Sequence, residues 1–135
     1  MPRFSTLAAA CAAAALALTG CGETDFVATD RPILLITLDE YRIVPQNIAV
    51  KRNPVHSGRL KIVVRNTGRL THNLAIQVPP EKIGGERVEV ARFETMKPNE
   101  AAEPIKLTLQ PGRYRLVCAI ANHDKLGQTG QLEVK

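Results

Sequence analysis

Apolar and polar residues alternate along most of the chain after Pro32, as in β-strands that bury one face. A continuous apolar run begins this part of the chain, and the alternating segments that follow end near Gly, Pro or Asn residues. The predicted strands are Ile33–Leu38, Tyr41–Val50 with a break at Pro45, Leu60–Arg65, Leu74–Val78, Val88–Val90, Ile105–Leu109, Tyr114–Cys118 and Leu132–Val134. About seven or eight strands with little helix predict an all-β domain over residues 33–135, an antiparallel Greek-key β-sandwich or barrel.

The strand pattern places several chemically versatile side chains at strand ends. His72 and Asn73 lie at the entrance of one predicted strand, and Cys118 lies at the end of another. Cys118 is in phase with Tyr114 and Leu116, so its side chain is predicted to point towards the core. Strand ends on a rigid scaffold are common positions for ligands.

The N-terminal segment predicts export. Arg3 precedes an apolar run, Leu7–Leu18, which is shorter than the roughly 20 residues of a membrane-spanning helix. The run ends in Leu-Thr-Gly-Cys, which resembles the lipobox of bacterial lipoproteins and predicts lipidation of Cys21. Residues 1–20 are therefore expected to be a lipoprotein signal peptide, and residues 21–32 a lipidated, polar tether to the membrane. An ordinary cleaved signal peptide with an unmodified Cys21 is the alternative.

The net charge and the cysteine content bear on the possible partners and on the role of Cys118. The full chain of 135 residues carries a net charge of +5, and loss of Arg3 with the signal would leave +4, which favours acidic partners or anionic lipids only modestly. Cys11 leaves with the signal, so Cys118 would be the one thiol besides Cys21 in an oxidising compartment. Metal ligation explains such a thiol; a Cys21–Cys118 disulfide, an inert buried cysteine and pairing with another protein are the alternatives.

Cys118, His123 and Gln128 recur at intervals of five residues on one predicted loop, and His72 lies far upstream. A thiolate, two imidazoles and a weak axial oxygen form the ligand set of a blue-copper site. A loop between two strands can deliver three of these groups, while a histidine from a distant strand closes the site. The pattern therefore predicts one copper ion that alternates between Cu(I) and Cu(II).

The chain resembles the cupredoxin family over most of its predicted mature length. The resemblance rests on Pro45–Val50 with Gly58, the Leu60–Asn66 strand, Thr71-His72-Asn73, Leu109-Gln110-Pro111-Gly112 with Tyr114, Cys118, His123, Gly127 and Gly130–Val134. It implies that His72, Cys118 and His123 are equatorial copper ligands and that Asn73 links the two ligand loops. Most members have Gly-Met where this chain has Gly127-Gln128, so Gln128 is similar to the axial glutamine of stellacyanin-like members and implies a lower reduction potential.

Several alternatives remain open at the level of sequence. His56 is best interpreted as a surface or core residue, Gln128 as either an axial ligand or a polar loop residue that faces water, and Met96 as a packing residue or an alternative axial group.

The leading functional hypothesis is a monomeric, membrane-anchored electron carrier of the bacterial cell envelope that meets its redox partners transiently. A copper carrier and a copper-free interaction module are the other two hypotheses. An enzyme is not supported, because the chain lacks a convincing catalytic constellation. With 4% aromatic residues, it also lacks the features of a nucleic-acid-binding protein.

Overall fold

A computed structural model describes residues 25–54, 56–80 and 85–135, which form two β-sheets packed face to face. The larger sheet has six strands in the order β1-β4-β10-β9-β6-β7, and the smaller has four in the order β3-β2-β5-β8. The strands are β1 (Val27–Thr29), β2 (Ile33–Asp39), β3 (Arg42–Val44), β4 (Asn47–Val50), β5 (Arg59–Asn66), β6 (His72–Val78), β7 (Val88–Met96), β8 (Ile105–Thr108), β9 (Gly112–Val117) and β10 (Thr129–Val134).

The core lies between the two sheets and follows the alternation seen in the sequence. Ile36 and Ile62 of the smaller sheet and Leu74, Leu116 and Leu132 of the larger sheet are completely buried. Each such side chain contributes roughly 1.5–3 kcal/mol through removal of apolar surface from water. Alternate residues of β2, β5 and β10 are committed to this core, and β6 is buried continuously from His72 to Ile76. The side chains at the strand ends therefore have fixed positions as well.

The predicted all-β sandwich is confirmed, with two differences from the expected pattern. The described residues contain ten strands, because Pro45 separates β3 from β4 and because Val27–Thr29 forms an additional edge strand. Three of the pairings are parallel rather than antiparallel, namely β1 with β4, β4 with β10 and β2 with β5. A two-residue alternation identifies the buried face of a strand but carries no information on the direction of its neighbour.

The described part of the expected tether, residues 25–32, is joined to the sandwich by several hydrogen bonds. The Lys51 N–H donates to the Thr29 carbonyl at 2.8 Å beside the β1–β4 pairing. His56, 3% exposed, lies 2.9 Å from the Asp30 carbonyl through Nε2 and accepts the Gly58 N–H at Nδ1. Since Nδ1 is an acceptor, the ring is neutral with its proton on Nε2. His56 is therefore a structural histidine, in agreement with its interpretation from the sequence.

The expected signal peptide, its Leu-Thr-Gly-Cys end and Cys21 lie outside the described residues. Within the described segments, no helix has the length and apolar character needed to cross a membrane.

Candidate metal centre

The ends of three neighbouring strands, β6, β9 and β10, meet at one end of the larger sheet. β9 lies between β6 and β10 and is antiparallel to both, so the end of β9 adjoins the beginnings of the other two strands. His72 is the first residue of β6, Cys118 follows β9 directly, and Gln128 directly precedes β10. The Cys118 N–H donates to the Gln128 carbonyl at 3.1 Å, which closes the base of the intervening loop. This topology brings together side chains that are far apart in the sequence.

His72, Cys118 and His123 are placed to form a metal site. One ligand atom from each residue lies within 4.8 Å of the others, and Cys118 Sγ is 3.6 Å from His123 Nδ1. Thiolate and imidazole ligands bind a metal at roughly 2.0–2.3 Å, so two of them on one ion are separated by roughly 3.5–4 Å. The separation of Cys118 from His123 therefore already suits a shared ion.

Burial prepares His72 for this role. Its side chain is 0% exposed, and neither ring nitrogen has a hydrogen-bond partner among the described residues. Burial, together with the nearby His123 ring, lowers the pKa of His72, although Glu40, Gln128 and Asp39 act in the opposite direction. A neutral imidazole has a free lone pair, so this unpartnered buried ring fits a metal ligand.

Asn73 links the two ligand segments, as the resemblance implies. Its Oδ1 accepts the Ala119 N–H at 2.8 Å and lies 3.6 Å from Cys118 Sγ. The side chain is 8% exposed, and its contact with the thiol is sheltered from water. Asn73 thus fixes both the loop after β9 and the position of the thiol.

We expect Asn73→Ala to lower the free energy of unfolding of the metal-free protein by about 0.5–1.5 kcal/mol, because the part-buried hydrogen bond from the Ala119 N–H loses its acceptor. The visible absorption of the copper-loaded variant should also shift, since the thiol loses a neighbour. Denaturant unfolding and absorption spectroscopy would measure the two effects. Asn122→Ala, at an exposed position of the same loop, is the matched control and should change neither.

Gln128 is a buried part of the site rather than a polar residue facing water. Its side chain is 0% exposed, and its Nε2 donates to the carbonyls of Asp39 at 2.9 Å and Arg42 at 3.4 Å. Two acceptor oxygens require the amide NH₂ group at this position, which fixes the orientation of the amide. Oε1 consequently points away from the two carbonyls and has no partner among the described residues. This unpartnered buried oxygen is the donor that an axial ligand needs.

The β2–β3 turn supports the site in a way that the sequence did not suggest. Besides the two carbonyls that hold Gln128, the turn contributes Glu40, whose Oε1 accepts the N–H groups of Arg69 and of Leu70, the latter at 3.0 Å. Asn66 holds the same loop through a 2.7 Å hydrogen bond from Nδ2 to the Leu70 carbonyl. The segment that leads into His72 is therefore tied to the turn that orients Gln128.

The three candidate ligands differ in their exposure. His72 and Cys118 are buried, whereas His123 is half-buried and is the one with access to solvent. The rings of Tyr41 and His72 meet the His123 ring edge-on, with centroids 5.4 Å and 5.1 Å away. Tyr41 adopts a positive φ of 55°, which a tight turn requires. Tyr41 was also missed at the level of sequence, since only the folded turn brings it to the ligand loop.

Met96 lies opposite His72 in the β6–β7 pairing and is 1% exposed. It belongs to the apolar cluster of the core, which agrees with its interpretation as a packing residue.

Comparison with solved structures identifies the fold. Dithionite-reduced auracyanin from Roseiflexus castenholzii matches with a TM-score of 0.61 and 17% identity over 79% of this chain and 99% of its own. Auracyanin A, a "blue" copper protein from Chloroflexus aurantiacus, matches with a TM-score of 0.58 and 14% identity over 82% of this chain and 100% of its own. Rusticyanin from Thiobacillus ferrooxidans matches with a TM-score of 0.60 and 16% identity over 84% of each chain. No protein-family profile and no curated protein sequence matches the chain.

These similarities define the class of protein: the chain has the cupredoxin fold. At this level the resemblance seen in the sequence is confirmed. Within this fold, the chain brings together a buried thiol, two histidines and an amide oxygen.

Proposed function

We propose that this protein is a type 1 copper protein that carries single electrons between redox partners in the bacterial cell envelope, held there by a lipid on Cys21. The observation that carries the proposal is the set of buried groups without partners, His72 and Gln128 Oε1, beside the free thiol of Cys118. Such groups are costly to bury unless they serve a ligand. The soft thiolate and the two imidazoles favour copper. Two proteins of similar structure, auracyanin A and rusticyanin, are described as copper proteins.

Copper bound in this site would supply a one-electron Cu(I)/Cu(II) couple. The surrounding residues would keep the ligands in place in both oxidation states, which limits the rearrangement that accompanies each electron. Asn73 holds the segment after β9, the Asp39 and Arg42 carbonyls hold Gln128, and Glu40 holds the loop before His72. Burial of His72, Cys118 and Gln128 limits the access of water, which would otherwise compete as a ligand.

His123 offers the route for the electron, because it is the candidate ligand that reaches solvent. Leu126 and Leu70, exposed by 50% and 39%, lie on the loops that carry His123 and His72. A small apolar surface around an exposed ligand edge suits brief docking to redox partners.

The lipid anchor rests on the Leu-Thr-Gly-Cys sequence at the end of the N-terminal apolar run. Lipidation by several acyl chains gives stable attachment, whereas a single chain is marginal. Mass spectrometry of the membrane fraction should find an acylated N-terminal Cys21. An unmodified Cys21 would rule out the anchor while leaving the copper site untouched.

The copper proposal is tested by loading the purified protein with Cu(II). We expect one bound copper per chain, an intense visible sulfur-to-copper absorption, and an electron paramagnetic resonance spectrum of a copper–thiolate centre. Electron self-exchange should be faster than transfer of copper to a chelator, whereas a copper carrier would show the reverse order. A colourless protein that binds no copper with Cys118 fully reduced would refute the proposal.

A further inference from the structure

The outer face of the smaller sheet combines exposed apolar and basic side chains. On β2, Ile33 and Leu35 point away from the core and are 55% and 62% exposed. Val63 of β5 is paired with Leu35 and extends this apolar stripe. Basic residues border the stripe. We call the group the basic sheet face, and it consists of Ile33, Leu35, Arg59, Lys61, Val63 and Lys106.

The charges on this face are strongly asymmetric. The four strands of the smaller sheet contain five basic residues and one acidic residue, Asp39, which pairs with Arg42 at 3.1 Å at the far end of β2. Lys61 and Lys106 are directly opposite each other in the β5–β8 pairing. Like charges at opposed positions destabilise a sheet, so this arrangement favours an anion between or above them.

The apolar surface continues beyond the sheet. A groove of about 390 Å³ runs between Ile33 and Leu107 and is bordered by the basic residues Arg59, Lys61 and Lys106. A second groove connects Ile33 and Leu35 to Val27 of β1, which is 54% exposed. Apolar surface bordered by bases matches the boundary between acyl chains and anionic headgroups.

We propose that the basic sheet face docks onto an anionic phospholipid bilayer. The position of the N-terminus favours a bilayer over a protein partner or a second copy. Cys21 precedes Val27 by six residues, so an extended chain spans at most about 20 Å between the lipid and β1. The inference rests on the proposed lipid anchor and is independent of copper.

Docking in this way would orient the candidate metal centre. The basic sheet face includes Ile33, at the beginning of β2, whereas the Asp39 carbonyl that holds Gln128 is at the end of β2. Six residue steps along a strand correspond to about 20 Å. The candidate metal centre would therefore lie beyond the end of the docked residues and not beneath them, which leaves His123 open to redox partners.

Lysine labelling of the mature lipidated protein tests the proposal. The protein would be reconstituted either in vesicles of equal parts phosphatidylglycerol and phosphatidylcholine or in pure phosphatidylcholine, and its amines labelled at low salt. We expect labelling of Lys61 and Lys106 to fall at least about fivefold in the anionic vesicles. The attraction of one basic residue to an anionic membrane surface changes the binding equilibrium by about this factor. Lys97 and Lys125, exposed residues outside the basic sheet face, should change less than about twofold.

Variants with a matched change of charge complete the test. Lys61→Glu should remove the protection of Lys106 in anionic vesicles, whereas Lys97→Glu should leave it intact. Protein that stays on washed vesicles but labels evenly in both lipids would refute docking and leave the anchor standing. Loss of the protein from washed vesicles would refute the anchor and the docking together. If Lys61 and Lys106 are protected from labelling without vesicles, and more so at higher protein concentration, the face binds a second copy of the protein and the bilayer proposal is refuted.

Discussion

Cys118→Ser is expected to abolish the visible absorption of the copper-loaded protein and to weaken copper binding by more than about 100-fold, beyond the 10–100-fold cost of losing a residue that only supports a ligand. The absorption requires a thiolate bonded to copper, and a serine hydroxyl is neither deprotonated at neutral pH nor soft enough to replace it. Absorption spectroscopy and a competition titration with a copper chelator would measure both effects.

The fold should survive this change. Serine is slightly smaller than cysteine, and its hydroxyl can donate to Asn73 Oδ1, the neighbour of Cys118 Sγ. The variant should therefore keep the far-ultraviolet circular dichroism of the parent. Met96→Leu is the control, since Met96 carries the only other sulfur among the described residues and should leave the band unchanged. A coloured Cys118→Ser protein would refute thiolate ligation.

The sequence predicted the buried faces of the strands well, because alternation depends only on neighbours along the chain. The inward position of Cys118 followed from its phase with Tyr114 and Leu116, and all three are buried. The proximity of His72 to Cys118 and His123 could not be obtained from phase alone. It came from the chemistry of the ligand set and from the resemblance to cupredoxins, and it depends on β9 lying between β6 and β10.

The interactions that hold the site were not predictable from side-chain patterns. Gln128 is oriented by two backbone carbonyls, those of Asp39 and Arg42, more than 80 positions away. Any residue supplies a carbonyl, so nothing in the sequence of that turn marks it as a partner. Glu40, which holds the loop before His72, resembles an ordinary exposed turn residue until the β2–β3 turn and that loop meet. Long-range backbone contacts of this kind become visible only in the folded chain.

Gln128→Met is expected to raise the reduction potential of the copper-loaded protein by more than about 59 mV, which corresponds to a tenfold change in the relative affinity for the two oxidation states. The amide oxygen is a harder donor than a thioether and favours Cu(II), so its loss favours Cu(I). Redox titration followed through the visible band would measure the change. Gln131→Met, on the exposed face of β10, is the matched control and should leave the potential unchanged.

The same substitution has a second effect that can be separated from the first. Methionine cannot donate to the Asp39 and Arg42 carbonyls, so the metal-free variant should lose about 1–3 kcal/mol of unfolding free energy. Gln128→Leu loses the same two hydrogen bonds and should be destabilised to a similar degree, but it offers no axial donor at all. If Oε1 is the axial ligand, the leucine variant should therefore have a potential at least as high as that of the methionine variant. Potentials of both variants equal to that of the parent would show that Gln128 orients the β2–β3 turn without binding the metal.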